Sequence, residues 1–124
     1  SLTPVFEDAM VRSGTHINAV GSYRPDMCEV PPETVKRSRL FVDQKEGCCA
    51  EAGDIIQPIT AGIITAAHIM AELGEVVSGK KQGRLTPQEI TFFKSVGNAV
   101  QDLAVGTLIL EKAKKMGLGT LVSL

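Results

Sequence analysis

At 124 residues, with 44% hydrophobic and 22% charged residues, the chain is long enough for one compact domain with a real core. A formal net charge of −1 gives no electrostatic case for nucleic acid or an anionic membrane surface as partner, and no apolar run approaches the roughly 18 residues that a spanning helix needs. Cys28, Cys48 and Cys49 are odd in number and two are adjacent, which argues against a disulfide framework and for a reducing, cytoplasmic setting. His16 and His68 stand alone, with no second Cys/His pair at ligand spacing, so no metal site is expected. The opening Thr3-Pro4-Val5-Phe6 resembles no secretory leader.

In chain order, Thr15 to Val20 predicts a short buried strand, and Gly21-Ser22-Tyr23-Arg24-Pro25-Asp26 a polar turn at its end. Ile17, Ala19 and Val20 can be buried with the strand. Gly21 lets the backbone turn or approach a flat ligand, and Asn18 can present its amide to a neighbour. Spacing alone leaves an ordinary strand-to-loop junction open beside a ligand-facing turn. Val30-Pro31-Pro32-Glu33 opens a short helix to about Ser38, because proline suits the first helical position and Glu33 the positive end of the dipole. Leu40-Phe41-Val42 reads as a buried parallel strand closed by Asp43. A second short helix covers Lys45 to Ala52 with Gly53 as its stop, followed by Asp54-Ile55-Ile56 and a break at Pro58.

Thr65 is then expected to cap a helix with Ile69, Leu73, Val76 and Val77 on one face and Gly79 at its end. Lys80 to Arg84 is a basic loop that composition places in solvent rather than on a phosphate. Ile90-Thr91-Phe92-Phe93 predicts another strand, leading into Lys94-Ser95-Val96-Gly97. From about Asn98 a long helix carries Val100, Leu103, Ala104, Thr107, Leu108 and Leu110 on a broad apolar stripe and stops at Gly117. Alternating strands and helices imply an α/β fold with a parallel sheet, in one domain or one piece of a larger one. Such a sheet invites a search for a Gly-rich phosphate turn between a strand and a helix, and the chain has none: Gly117-Leu118-Gly119 follows a helix and suits a C-cap.

The motifs Thr3-Pro4-Val5-Phe6, His16-Ile17-Asn18-Ala19-Val20-Gly21, Arg24-Pro25-Asp26 with Glu29, and Ala50-Glu51-Ala52-Gly53-Asp54 resemble, in order, the ornithine cyclodeaminase and mu-crystallin family. The likeness continues through Ala71-Glu72-Leu73-Gly74-Glu75-Val76-Val77-Ser78-Gly79-Lys80 and Phe93-Lys94-Ser95-Val96-Gly97 into Gln101-Asp102. It implies that residues 1–124 are the C-terminal portion of a Rossmann-type NAD(P)-binding domain, with helices returning toward a separate substrate-binding and dimerisation domain that lies upstream. The apolar stripe of the last helix would then meet absent surface, and its exposure would drive self-association. The isolated chain would be inactive, lacking half of the cofactor site.

The same resemblance implies the site. Ala19, Val20 and Gly21 would line the nicotinamide pocket, Tyr23 would face the substrate, and Ser95 would lie near the carboxamide or substrate, although a helix N-cap is the alternative for Ser95. Arg24 would hold a substrate carboxylate or be an exposed turn arginine. His16 reads as a satisfied strand histidine, and Glu72 and Asp102 as structural. Family cyclodeaminases and alanine dehydrogenases carry an Asp two residues after the turn glycine, where this chain has Tyr23. A phenol with an ordinary pKa of about 10 is a poor base at neutral pH but a competent hydrogen-bond donor. The resemblance therefore favours the ketimine reductase branch, a homodimer reducing a cyclic ketimine carboxylate such as a pyrroline- or piperideine-2-carboxylate with NADH or NADPH. An ornithine cyclodeaminase, an alanine dehydrogenase, or a non-catalytic crystallin-like binder of small molecules are the alternatives.

Overall fold

A computed structural model describes residues 1–120 and 122. Four short strands, β1 (His16–Ala19), β2 (Arg39–Val42), β3 (Ile69–Glu72) and β4 (Thr91–Lys94), form one sheet in the order β1-β4-β2-β3. Every pairing is parallel, as the continuous apolar character of Leu40 to Val42 requires. The helices are α1 (Pro32–Arg37), α2 (Lys45–Glu51), α3 (Gly53–Thr60), α4 (Leu73–Val77) and α5 (Ala99–Met116).

Strand alternation gives the sheet two different faces. Ile17, Ala19, Leu40, Val42 and Phe92 turn toward α1, α2 and α3, where they meet Val35, Cys48, Ala52 and Ile55 in the main core. Each large side chain fully buried there, such as Leu40, Ile55 or Phe92, contributes about 1.5–3 kcal/mol. His16, Asn18, Phe41, Thr91 and Phe93 point the other way. With Leu73, Val76, Gly83 and Arg84 they line an open hollow of about 500 Å³.

Two expectations fail. The segment from Thr65 is not one helix: residues Ala66–His68 make a single 3-10 turn, Ile69–Glu72 is strand β3, and only Leu73–Val77 is α-helical. Ile69 and Ala71 are buried while Met70 and Glu72 are half-buried, a period of two imposed by pairing with β2. The spacing of Ile69, Leu73 and Val76 matched a helix only because it runs across a strand-to-helix boundary. Glu72 instead forms a capping box with Glu75 and accepts a hydrogen bond from the Lys45 N–H at 2.8 Å. Likewise Gly53 begins α3 rather than merely ending α2, and Pro58 sits within that helix rather than breaking it.

The remaining elements fall within a residue or two of expectation. Pro31 and Pro32 open α1, Asn98 caps α5 by accepting from the Val100 N–H at 3.1 Å, and Gly117 ends α5 at φ +65°. Helix α5 buries none of its residues: Val100, Leu103, Leu108 and Leu110 are all more than half exposed. Among the described residues no helix is long and apolar enough to cross a membrane, and no group of three or more His, Cys, Asp or Glu is placed to hold a metal ion.

All three cysteines are free. Burial, followed by the Asp54 charge, pushes the Cys28 thiol up to about 11; burial, followed by the hydrogen bond it donates to Asp43, pushes Cys48 up to about 12. Cys49 next to it is exposed. Iodoacetamide at about pH 8 should therefore alkylate Cys49 and spare Cys28 and Cys48, because the thiolate is the nucleophile. Peptide mapping of the native protein reads this, and label on Cys48 would contradict the packing described.

Candidate active site at the carboxyl end of the sheet

Parallel pairing brings the ends of β1 and β4 side by side, with Ala19 opposite Lys94. The chain leaves each strand in a short turn-like loop held by side-chain carboxylates, residues 20–23 after β1 and 95–97 after β4. The Ser95 N–H donates to the Ala19 carbonyl at 3.2 Å, joining the two. Ligands of parallel α/β sheets sit outside this edge.

Each turn is pinned by one carboxylate. Glu29 Oε2 accepts from the Gly21 and Ser22 N–H groups at 2.8 and 3.1 Å. Asp43 Oδ2 accepts from the Ser95 hydroxyl at 2.6 Å and from the Val96 and Gly97 N–H groups, both at 3.1 Å. Burial raises the Asp43 carboxyl, but hydrogen bonds from Ser95, Cys48 and the Gln44 and Gly97 N–H groups outweigh it and hold the group below the usual carboxylate range. Ser22 is completely buried; its hydroxyl donates to the Met27 carbonyl at 3.1 Å and accepts from the Asp54 N–H at 3.2 Å. Asp54 Oδ1 in turn accepts from the Glu29 and Val30 N–H groups at 2.7 and 3.0 Å.

Beneath both turns lies Lys94, fully buried, with Nζ 3.3 Å from Asp54 Oδ2 and 3.9 Å from Glu29 Oε2. Glu29, Asp43, Asp54 and Lys94 were not singled out as site residues from the sequence. One signal was present for Lys94: it lies two residues beyond Phe92, and so on the same core-facing side of the strand.

The residues implied by resemblance divide into groups. Ala19 is buried, but Val20, expected to be buried with the strand, lies just beyond its end and is 67% exposed; Tyr23 is 54% exposed, with Gly21 between the two. An apolar side chain and a phenol standing open at a strand end suit the covering of a flat ring, so the residues present fit the nicotinamide side of a dinucleotide site. Ser95 is not a helix N-cap, since Asn98 takes that place; its hydroxyl is turned onto Asp43. Arg24 does grip a carboxylate, that of its neighbour Asp26, through Nε to Oδ1 at 3.0 Å and Nη2 to Oδ2 at 2.6 Å. The Arg24 hydrogen bond lowers the Asp26 carboxyl and makes it a weaker base. His16 bonds through Nδ1 to the Thr91 hydroxyl at 2.7 Å and through Nε2 to Asn18 Oδ1 at 3.1 Å, on the opposite sheet face, as a satisfied strand histidine does. Arg84 in the basic loop is likewise spent within the fold, donating to the Glu89 and Thr15 carbonyls and the Thr91 hydroxyl.

Fold and edge together define an α/β protein of the nucleotide-binding type, with two strand-end turns at the edge where sheets of this kind take ligands. The chain belongs to the ornithine cyclodeaminase/mu-crystallin family, whose model matches residues 1–117. Among relatives, it is 45% identical over 118 residues to the Delta(1)-pyrroline-2-carboxylate reductase of Bacillus cereus, covering 94% of this chain and 36% of that protein. It is 41% identical over 108 residues to the ketimine reductase mu-crystallin of Rattus norvegicus, covering 87% of this chain and 32% of the relative. Among solved structures, the Thermococcus litoralis Delta(1)-pyrroline-2-carboxylate reductase in complex with NADH and L-proline superposes with a TM-score of 0.89 at 50% identity, over 96% of this chain and 37% of that one. The chain thus spans about a third of the length of the relatives it matches.

Proposed function

We propose that residues 1–124 are the C-terminal portion of an NAD(P)H-dependent reductase of cyclic ketimine carboxylates, of the pyrroline- or piperideine-2-carboxylate kind, acting as a homodimer. In this reading Ala19, Val20 and Gly21 form the wall against the nicotinamide, and Tyr23 and Arg24 face the substrate. NAD(P)H, when bound, supplies the hydride. The chain's own task is to present a flat apolar wall, keep Tyr23 beside the imine as hydrogen-bond donor, and offer no strong base.

The observation that carries this reading is the chemistry of the β1 turn. Its exposed side chains are Val20, Tyr23, Pro25 and the Arg24–Asp26 pair, and that pair's carboxylate is already engaged. A preformed C=N bond needs only a hydride and a proton, whereas loss of ammonia from an amino acid needs a group to take protons. Identity to proteins named as pyrroline-2-carboxylate and ketimine reductases supports the same choice.

The test uses the full-length protein that carries this chain, with NADH or NADPH and each cyclic imine, followed by the loss of reduced-nicotinamide absorbance. Turnover with at least one imine is the expected result, and cofactor binding without turnover of any would favour a binding protein. Tyr23→Asp should cut imine reduction by about tenfold or more. An unchanged product and rate would show that position 23 does not set the chemistry.

A further inference from the structure

The cation beneath the turns is fully buried, and its position is costly. Bringing an ammonium and a carboxylate into a core costs several kcal/mol per ion, and apolar side chains in place of both partners would pack there without that cost. Lys94 Nζ and Asp54 Oδ2 also lack a well-directed hydrogen bond, so the pair is held by charge more than by geometry. What the arrangement does provide is a set of contacts converging on one piece of backbone. Glu29 reaches Gly21 and Ser22; Asp54 fixes the backbone of Glu29 and Val30; Ser22 receives the Asp54 N–H; and Lys94 lies within 4 Å of both carboxylates. Glycine at position 21 leaves room for this contact, because a Cβ there would push the Glu29 carboxylate aside.

We propose that Glu29, with Lys94 as its counter-ion and Asp54 as its anchor, is a positioning residue that fixes the backbone of the Val20–Tyr23 turn and so the placement of Tyr23 over the reacting imine. The link to the imine rests on the proposed reductase function; the bracing of the turn does not. Two N–H groups donating to one ionised oxygen make charge-assisted bonds, roughly twice as strong as neutral ones. Tyr23, more than half exposed, makes no side-chain hydrogen bond among the described residues, so its placement follows the backbone beneath it.

The experiment measures amide hydrogen exchange and steady-state kinetics on the full-length protein and its Glu29→Gln variant. Glutamine keeps the length of the side chain and removes the charge. Exchange at Gly21 and Ser22 should quicken by about tenfold or more, while Leu40 and Val42 in the core keep their rates. kcat for imine reduction should fall by about tenfold or more, with KM for the cofactor changed by less than about threefold, since misplacement of a reacting group costs rate rather than affinity. Should Glu29→Gln fail to fold, Gly21→Ala keeps every charge and displaces the carboxylate by volume alone, and it should quicken exchange at Ser22 to the same extent. Unchanged exchange at Gly21 and Ser22 overturns the brace. Faster exchange with an unchanged kcat overturns the positioning role and leaves a structural one. If the unaltered protein reduces no cyclic imine, the reductase function fails, and exchange still decides the brace.

Discussion

Replacing Lys94 with methionine should destabilise the protein by about 3–5 kcal/mol, the usual consequence of removing one partner from a buried ion pair. The methylenes of Lys94 are replaced almost isosterically, so lost packing contributes little. The loss arises at Asp54, which is fully buried, and at Glu29, which is partly so, both left without a nearby cation. Urea unfolding of full-length protein reads the effect as a lowered midpoint at constant slope. The double variant Lys94→Met with Asp54→Asn should recover much of the loss, because asparagine keeps a carbonyl oxygen for the Glu29 and Val30 N–H groups without the charge. A cost below about 1 kcal/mol for the single change would mean that water or rearrangement neutralises the two carboxylates.

Gly53→Ala should also be strongly destabilising, by about 2–3 kcal/mol or more, as backbone overpacking is. Helix propensity taken alone predicts the opposite sign, since alanine is favoured over glycine inside a helix by about 1 kcal/mol. The difference lies in what the methyl group meets: it would overlap the Met27 carbonyl and lie 2.8 Å from the Arg24 carbonyl. Both obstacles are backbone, so no side chain can swing aside. Relief requires α3 to withdraw from the 24–27 turn, which strains the bonds from Asp54 to Ser22, Glu29 and Val30. Thermal unfolding settles the sign, and a stabilised Gly53→Ala protein would show that the close approach is not as described.

These two residues mark the boundary of what the sequence discloses. Local signals were sufficient for β1, α1, β2, β4 and α5, where a proline pair, an apolar run, an N-capping Asn98 and a terminating Gly117 each act within a few residues. They were insufficient for β3, whose Ala71 is too small to register as a core residue and whose helical spacing arises from joining two unlike elements. Gly53 looked like a stop because its real constraint comes from residues 24–27, far away along the chain. The site divides in the same manner. That Ala19 to Tyr23 stand at a strand end was legible from the local pattern, but the exposure of Val20 was not, and a role for these residues beside a cofactor rests on the family likeness. The carboxylates that hold the turns were not, because Asp43 grips residues 52 to 54 positions distant and Glu29 meets Lys94 only once β1 and β4 pair. A lysine two positions past a buried phenylalanine in a parallel strand is the one clue that could have been followed.

Asp43 has a mechanical reach beyond its own loop. The residues it grips, 95–97, immediately precede Asn98, from which α5 projects as an 18-residue rod of about 27 Å. A tilt of about 10° at that base would move the far tip by about 5 Å. One carboxylate thus ties the backbone beside the candidate site to the root of α5, so that the two share a single anchor.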